Sequence, residues 1–268
     1  LLFDFEWSNR VIFHNAYKRA LTYFPNSDLG ATGLPKKPEL SLLAPWKHLL
    51  PPGTQEKPFT LPVTPGTGDL RAQQQEALDL LSAAGWTIKN NKLQDASGKT
   101  FRFQFLDDSY ATARYILPWK KKLATLGIEL EYLQVDTSQY IYKVRAMDFD
   151  MIEQILPQTL APDQELENYF HSSQANTQGS RNFAGIQNPA VDDLVVRIPL
   201  SKSRQEMQTL TRSLDRVLLW HYYGIPKWYS DYMRVAYRDV FGRPELPPRY
   251  TTPFSTWWRK DLHSPSGR

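Results

Sequence analysis

An α/β fold is predicted, and three observations predict it. From Ser109 to Leu156 the pattern runs helix, strand, helix, strand, which calls for a sheet with right-handed crossovers and helices on its faces. Ahead of that run, Phe101, Phe103 and Phe105 point inward against Arg102 and Gln104, the period of a half-buried strand. The 268 residues show no internal repeat, a length that suits one large domain or two small ones.

In chain order, Leu1 to about Tyr23 reads as a helix, with Phe5, Ile12, Phe13, Ala16 and Ala20 near helical spacing and Pro25 as its stop. Asn26 to Lys37 is a loop, Glu39 to Leu50 a short helix containing Pro45, and Leu50 to Gly68 a proline-rich crossing packed over a surface. Asp69 is placed to cap the next helix, in which Leu70, Ala77, Leu78, Leu81 and Ala84 share a face and which Gly85 ends. A strand begins at Trp86, turns at Asn90 and Asn91, turns again over Asp95 to Gly98, and continues through Thr100 to Leu106 as a hairpin or meander. A helix over Ser109 to Leu126, kinked at Pro118, ends at Gly127. Ile128 to Val135 is a strand, Ser138 to Ala146 a helix and Phe149 to Leu156 a strand. Beyond Pro157 a polar loop runs to Asn188, broken by a short helix over Asp163 to Tyr169. Helices follow from Pro189 to Val196 and from Ser203 to Trp220, then strands over Gly224 to Tyr229 and Met233 to Tyr237.

Composition closes several chemistries. With no cysteine there is no thiol nucleophile, disulfide or thiolate metal site. The net charge of +4 is mild and mixed, so nucleic acid is not expected as a partner, and the triplet Lys120 to Lys122 reads as a solvated helix face. The 35 aromatic residues, from 8 Trp, 14 Tyr and 13 Phe, oppose disorder. The chain opens at Leu1 without an initiator methionine or a signal-type segment, and a part preceding it is expected.

The five histidines, His14, His48, His171, His221 and His263, lack metal-ligand spacing, so neither metal nor cofactor is expected. Gly66-Thr67-Gly68 begins like a nucleotide fingerprint, but Arg71 stands where the third glycine belongs, and it reads as a turn. The carboxylate pairs Asp107 with Asp108 and Asp148 with Asp150 allow a glycoside hydrolase as an alternative; capping after strands is the simpler account. Trp228 and Tyr229, with Trp220, Tyr222 and Tyr223, form an aromatic cluster that is either core or a ligand platform.

Five ordered blocks carry a resemblance: LFDFEWSNRVIFHNAYKRALTYFPNSDLGATGLP, LLSAAGW, LGIELEYLQVDTSQYIYKVRAMDFDM, GSRNFAGIQNPAVDDLV and IPKWYSDYMRVAYRDVFGRP. Together they resemble the family 5 extracellular solute-binding proteins that serve ABC importers, nearest the oligopeptide branch with the YejA-like proteins. The resemblance implies a bilobal, class II periplasmic-binding-protein fold. Residues 1–226 would be the second ligand-binding lobe, nearly complete, and 227–268 the C-terminal segment returning to the first lobe, whose bulk would lie in an N-terminal part of the same protein ahead of Leu1.

It further implies a periplasmic or otherwise extracytoplasmic binding subunit without catalytic activity, which takes an oligopeptide between its lobes and passes it to permease subunits. An oligosaccharide or a metal chelate is the alternative cargo. Peptide ends need charged partners, and Arg181, with Asn182 beside it, is the expected contact for a carboxylate or carbonyl; the competing role for Arg181 is a salt bridge to Asp192 or Asp193. Many members carry a Trp and an Asp after the strand matching Phe149 to Leu156. Here that stretch is IEQILPQTLAPDQEL, which leaves Asp163 or Glu165, or a group elsewhere, for the ligand's amino end. Trp228 and Tyr229 would wall the cleft near the hinge.

Overall fold

The computed structural model describes residues 1–246, 248 and 253–260. The chain divides into two compact units, residues 1–229 and the residues from Ser230 on.

In the first unit, helix α1 (Phe5–Val11) is capped by Asp4, whose carboxylate accepts the Trp7 amide. The helix expected to reach Tyr23 stops here. His14 and Asn15 take positive φ, and the Asn9 side chain binds both the carbonyl and the amide of Tyr17, replacing helical bonds with a turn into β1 (Lys18–Arg19). Next come α2 (Lys37–Leu43), which runs straight into a 3₁₀ turn over Ala44–Leu49 with Pro45 in its first turn, and α3 (Arg71–Ala83). Asp69 does not cap α3; its carboxylate holds the amide and guanidinium of Arg71 instead.

Strands β2 (Thr87–Lys89) and β3 (Lys92–Gln94) pair antiparallel across Asn90 and Asn91, both with positive φ, the backbone a two-residue hairpin requires. The expected meander continues only as a single antiparallel bridge between Gln94 and Thr100, with the Phe101 amide donating to the Leu93 carbonyl. The following strand β4 (Arg102–Asp107) is instead the centre of a parallel sheet in the order β5-β4-β6, with β5 (Glu129–Gln134) reached through α4 (Ala113–Ala124) and β6 (Met151–Ile152) through α5 (Thr137–Arg145). Asp136 caps α5 through two amides, whereas α4 has no side-chain cap, so Asp107 and Asp108 do not cap it.

Three helices follow, α6 (Glu165–Phe170), α7 (Pro189–Arg197) and α8 (Arg204–Trp220). Asn188 and Ser203 cap α7 and α8. Strand β7 (Trp228–Tyr229) pairs antiparallel with β1, which keeps residues 227–229 in the first unit, three residues beyond the boundary expected from sequence. In the second unit the strand expected over Met233 to Tyr237 does not form; β8 (Phe241–Gly242) pairs with β9 (Trp258–Arg259).

Two apolar cores build the first unit. One joins Phe24, Leu29 and Leu43 to the inner faces of α6, α7 and α8, where Leu166, Leu194 and Leu214 are fully buried. The other joins the sheet, through Phe105 and Leu130, to Tyr115, Ile116 and Leu123 of α4 and to Leu2, Leu70 and Leu93. No helix among the described residues is long and apolar enough to cross a membrane.

Candidate functional site

In open α/β sheets ligands gather beyond the carboxyl ends of the strands, where the strand order reverses. Here it reverses at β4, since β5 lies on one side of it and β6 on the other. The chemistry at that edge is dense. Asp107, at the end of β4, is buried and accepts the Tyr132 hydroxyl and the Ser109 amide. Glu153, just past β6, accepts the Tyr115 hydroxyl at 2.8 Å and the Lys227 ammonium at 2.5 Å through one oxygen. That ammonium also lies 4.2 Å from the Trp228 ring centre and 4.5 Å from that of Tyr115, a cation–π arrangement. Burial lowers the Lys227 pKa and the Glu153 charge works against it. Burial raises the Tyr115 and Tyr132 phenols far above their ordinary range, and the neighbouring carboxylates add to this. Gln134 Nε2, at the end of β5, is buried without a hydrogen-bond partner.

Arg181 reaches this edge from the loop before α7. Its guanidinium stacks 4.8 Å over the Tyr169 ring, donates to the Tyr169 hydroxyl at 3.1 Å and donates to the Ile155 carbonyl at 3.3 Å. Neither Asp192 nor Asp193 pairs with it: Asp192 accepts the Ser172 amide and Asp193 pairs with Arg197. Among the described residues no carboxylate forms an ion pair with Arg181.

The other expected contacts separate. Asn182 is 1 % exposed, and its amide is used up on the Ile186 amide and the carbonyls of His171 and Ile186, so it shapes the loop and has nothing left for a ligand. Trp228 packs among Phe3, Phe5, Phe13, Tyr17 and Tyr115 and belongs to the core of the sheet. Tyr229, half-buried, pairs with Lys18 across β1. Asp163 is exposed ahead of α6, where its amide donates to Glu165. The five aromatics expected to cluster also divide: Trp220 and Tyr222 meet Phe59, Tyr223 stacks on His221, and Trp228 sits elsewhere. Lys227, Glu153 and Tyr115 were not singled out from sequence. The signal for Glu153 was its position just past the third parallel strand, and for Lys227 a lone cation between Pro226 and Trp228.

The bacterial extracellular solute-binding proteins, family 5 middle model, matches residues 1–177. The chain belongs to family 5 of the bacterial extracellular solute-binding proteins. A probable peptide-binding protein YejA of Agrobacterium fabrum is 36 % identical over 258 residues, covering 96 % of this chain and 42 % of the relative. The chain spans about two fifths of the length of the curated relatives it matches. Among solved structures, the oligopeptide-binding protein AppA of Bacillus subtilis, in complex with a nonapeptide, aligns with a TM-score of 0.54 at 17 % identity, covering 82 % of this chain and 45 % of that one. A mannohexaose-bound periplasmic oligopeptide-binding protein of Thermotoga maritima aligns at 0.58 and 18 % identity, covering 85 % and 40 %. The α/β architecture is thus that of the family 5 periplasmic binding proteins. The two carboxylate pairs considered for hydrolysis do not meet. They lie at opposite ends of β4, Asp107 is occupied, Asp148 pairs with Lys143, and Asp150 accepts the Gln104 amide.

Proposed function

We propose that this family 5 chain is the peptide-holding lobe of a periplasmic binding protein that delivers oligopeptides to the permease of an ABC importer. In this reading residues 1–229 form the second lobe, residues from Ser230 on return to the first, and the remaining length of the relatives corresponds to the rest of the first lobe. The carboxyl edge of the sheet and the loops beyond β4 and β6 form one wall of the cleft. Tyr229 and Asp163 border it. The observation that carries the reading is the Arg181 guanidinium, fixed by Tyr169 and the Ile155 carbonyl yet without an acidic partner among the described residues. A fixed, unpaired guanidinium suits a carboxylate, and two parallel N–H donors give it direction.

Closure needs no chemistry: a ligand touching both lobes shifts the open and closed populations by its differential affinity. The mannohexaose-bound neighbour favours an oligosaccharide as the second reading. Thermal unfolding of the full-length protein separates the two, since a ligand that binds only the folded state at a hundred times its Kd adds about 2.7 kcal/mol. A mixture of short peptides should raise the Tm and mannohexaose should not; the opposite result would overturn the peptide reading. Arg181→Ala should weaken peptide binding by about 10- to 100-fold, the range of a charge-assisted hydrogen bond, and leave the Tm of the ligand-free protein within a few degrees.

A further inference from the structure

The two apolar cores of the first unit share no residue, and the chain keeps them apart. Residues 23–50 and 156–223 supply the helical core and the apolar side chains around it; residues 1–13, 70–151 and 228 supply those of the sheet core. Packing between elements follows the same division. Helices α2 and α7 lie on α8, and α6 lies on α7, whereas β4 lies between β5 and β6 with α4 on β5. Four stretches of chain join the two cores, residues 14–22, 51–69, 152–155 and 224–227. The longest of them has one end on each. Near its start Gly53 lies against the Trp220 ring of α8, and Phe59 packs on Trp220 and Tyr222. At its far end the Gly66 carbonyl accepts the Arg10 guanidinium at 2.6 Å and the Gly68 amide donates to the Asp4 carboxylate at 3.0 Å.

The contacts that cross directly between the two are polar or between ring edges. The Gly179 amide donates at 3.0 Å to the carbonyl of Arg145, the last residue of α5, and the Phe183 ring meets Phe149 edge to face with centres 6.5 Å apart. Arg181 bridges the same seam, stacked on Tyr169 of α6 and donating to the Ile155 carbonyl just past β6. Cooperative unfolding follows shared buried apolar surface, and a seam of this kind carries little of it. The two bodies also differ in how much they enclose: α8 buries nine side chains and α7 four, whereas α3 buries only Ala77 and α5 none. We propose that residues 1–229 are two cooperative bodies joined at this seam, and that the sheet body opens while the helical body stays folded. Opening frees the Ile155 half of the hold on Arg181. The inference goes beyond the peptide reading and stands whatever the protein binds.

Hydrogen exchange of the full-length protein, followed by mass spectrometry at rising urea below the unfolding transition, tests this. Without urea, amides of β4, β5 and α4 should exchange about tenfold or more faster than those of α7 and α8. With urea the two groups should converge on separate isotherms, each with the slope of its own exposed surface. Leu194→Ala, in the helical core, should speed exchange of the helical group about tenfold or more and of the sheet group less than about threefold. Arg181→Gln should speed exchange at the Gly179 amide about fivefold or more and leave both core groups within about twofold. A single isotherm shared by both groups overturns the proposal, as does equal acceleration of both in Leu194→Ala. A helical group that exchanges first overturns the order of opening. An unmoved Gly179 amide in Arg181→Gln overturns the bridging role of Arg181.

Discussion

Residue by residue, the strongest constraints in the first unit lie on α8. Arg216 is 1 % exposed; its guanidinium donates to Glu39 at 2.6 Å and to the carbonyls of Gly33 and Thr32. Beside it Asp215 accepts the Thr22 hydroxyl and the amides of Tyr23 and Ala31. Together they pin the loop from Thr22 to Gly33 against the helix. Removing one partner of a buried pair strands the other charge, so Arg216→Met should cost about 3–5 kcal/mol by urea unfolding. Adding Glu39→Leu to it should recover a good part of that loss; equal losses in the single and double variants would show that the pair is not the cause. Desolvation pushes the Asp215 pKa up to about 6 from an ordinary 3.8, against the pull of its three donors and of Arg216. A folded-state pKa above the unfolded value means that the native state holds the proton more tightly. The contribution from Asp215 is therefore greatest below about pH 4 and is lost as pH rises through 6. The stability difference between the wild type and Asp215→Asn should shrink over that window, which denaturant titrations at pH 4, 5, 6 and 7 would reveal. Nothing in the sequence exposed these ties, because their partners are 177 to 193 residues away and chain periodicity carries no information at that range.

Among the elements, legibility followed local chemistry. The β2–β3 hairpin was readable because Asn90 and Asn91 tolerate positive φ, and α5, α7 and α8 were readable within a few residues because apolar spacing and polar or proline starts agreed. The misreadings came from nonlocal contacts. The long N-terminal helix gave way to the Asn9–Tyr17 bonds, and β4 left its expected meander for a parallel partner 27 residues away, Glu129 opposite Arg102. Of the candidate site, Arg181 was visible as an arginine in a polar loop, whereas Glu153 and Lys227, 74 residues apart, become a pair only in three dimensions. The hairpin is joined to the sheet at Gly127, whose carbonyl accepts the Leu93 amide at 2.8 Å, whose φ is 73°, and where an added Cβ would lie 2.5 Å from the Leu93 nitrogen. The conformation alone costs a side chain about 1–2 kcal/mol and the backbone clash adds to it, so Gly127→Ala should lose at least 2 kcal/mol. Asn91→Gly, which places the favoured residue in the same hairpin turn, should change stability by less than 1 kcal/mol and upward. A loss in Asn91→Gly, or a Gly127→Ala protein as stable as wild type, would contradict this account of how the hairpin is held.

At the scale of the first unit, β7 must be tied back to elements far earlier in the chain, and Lys227 does this with more than its backbone. Its carbonyl accepts the Ala20 amide at 3.1 Å beside the β1–β7 pair, while its ammonium reaches Glu153 beyond β6 and lies over the ring of Tyr115 in α4. One side chain thus fixes a late strand to the sheet's edge and to a crossover helix, close to the residues proposed to hold the ligand. A Lys–Glu pair this enclosed gains its Coulomb attraction against a desolvation penalty of similar size, so its net contribution is small while either half alone is costly. Lys227→Met leaves the Glu153 carboxylate facing only the Tyr115 hydroxyl, and Glu153→Gln leaves the ammonium with an uncharged amide, the aromatic rings and the charge of Asp107. Each single variant should lose about 2–4 kcal/mol, and the double variant should lose at least 1 kcal/mol less than the sum of the singles, the non-additivity expected of residues in contact. Urea unfolding of the four proteins closes the cycle. Strict additivity would mean that the ammonium and carboxylate do not act on each other, leaving β7 held by its pairing with β1 and by the packing of Trp228. Because the pair also borders Asp107 and Tyr115, its loss should loosen the carboxyl edge before the helical core, with faster amide exchange at Val135 and Lys227 than at Leu214 and Val217 of α8.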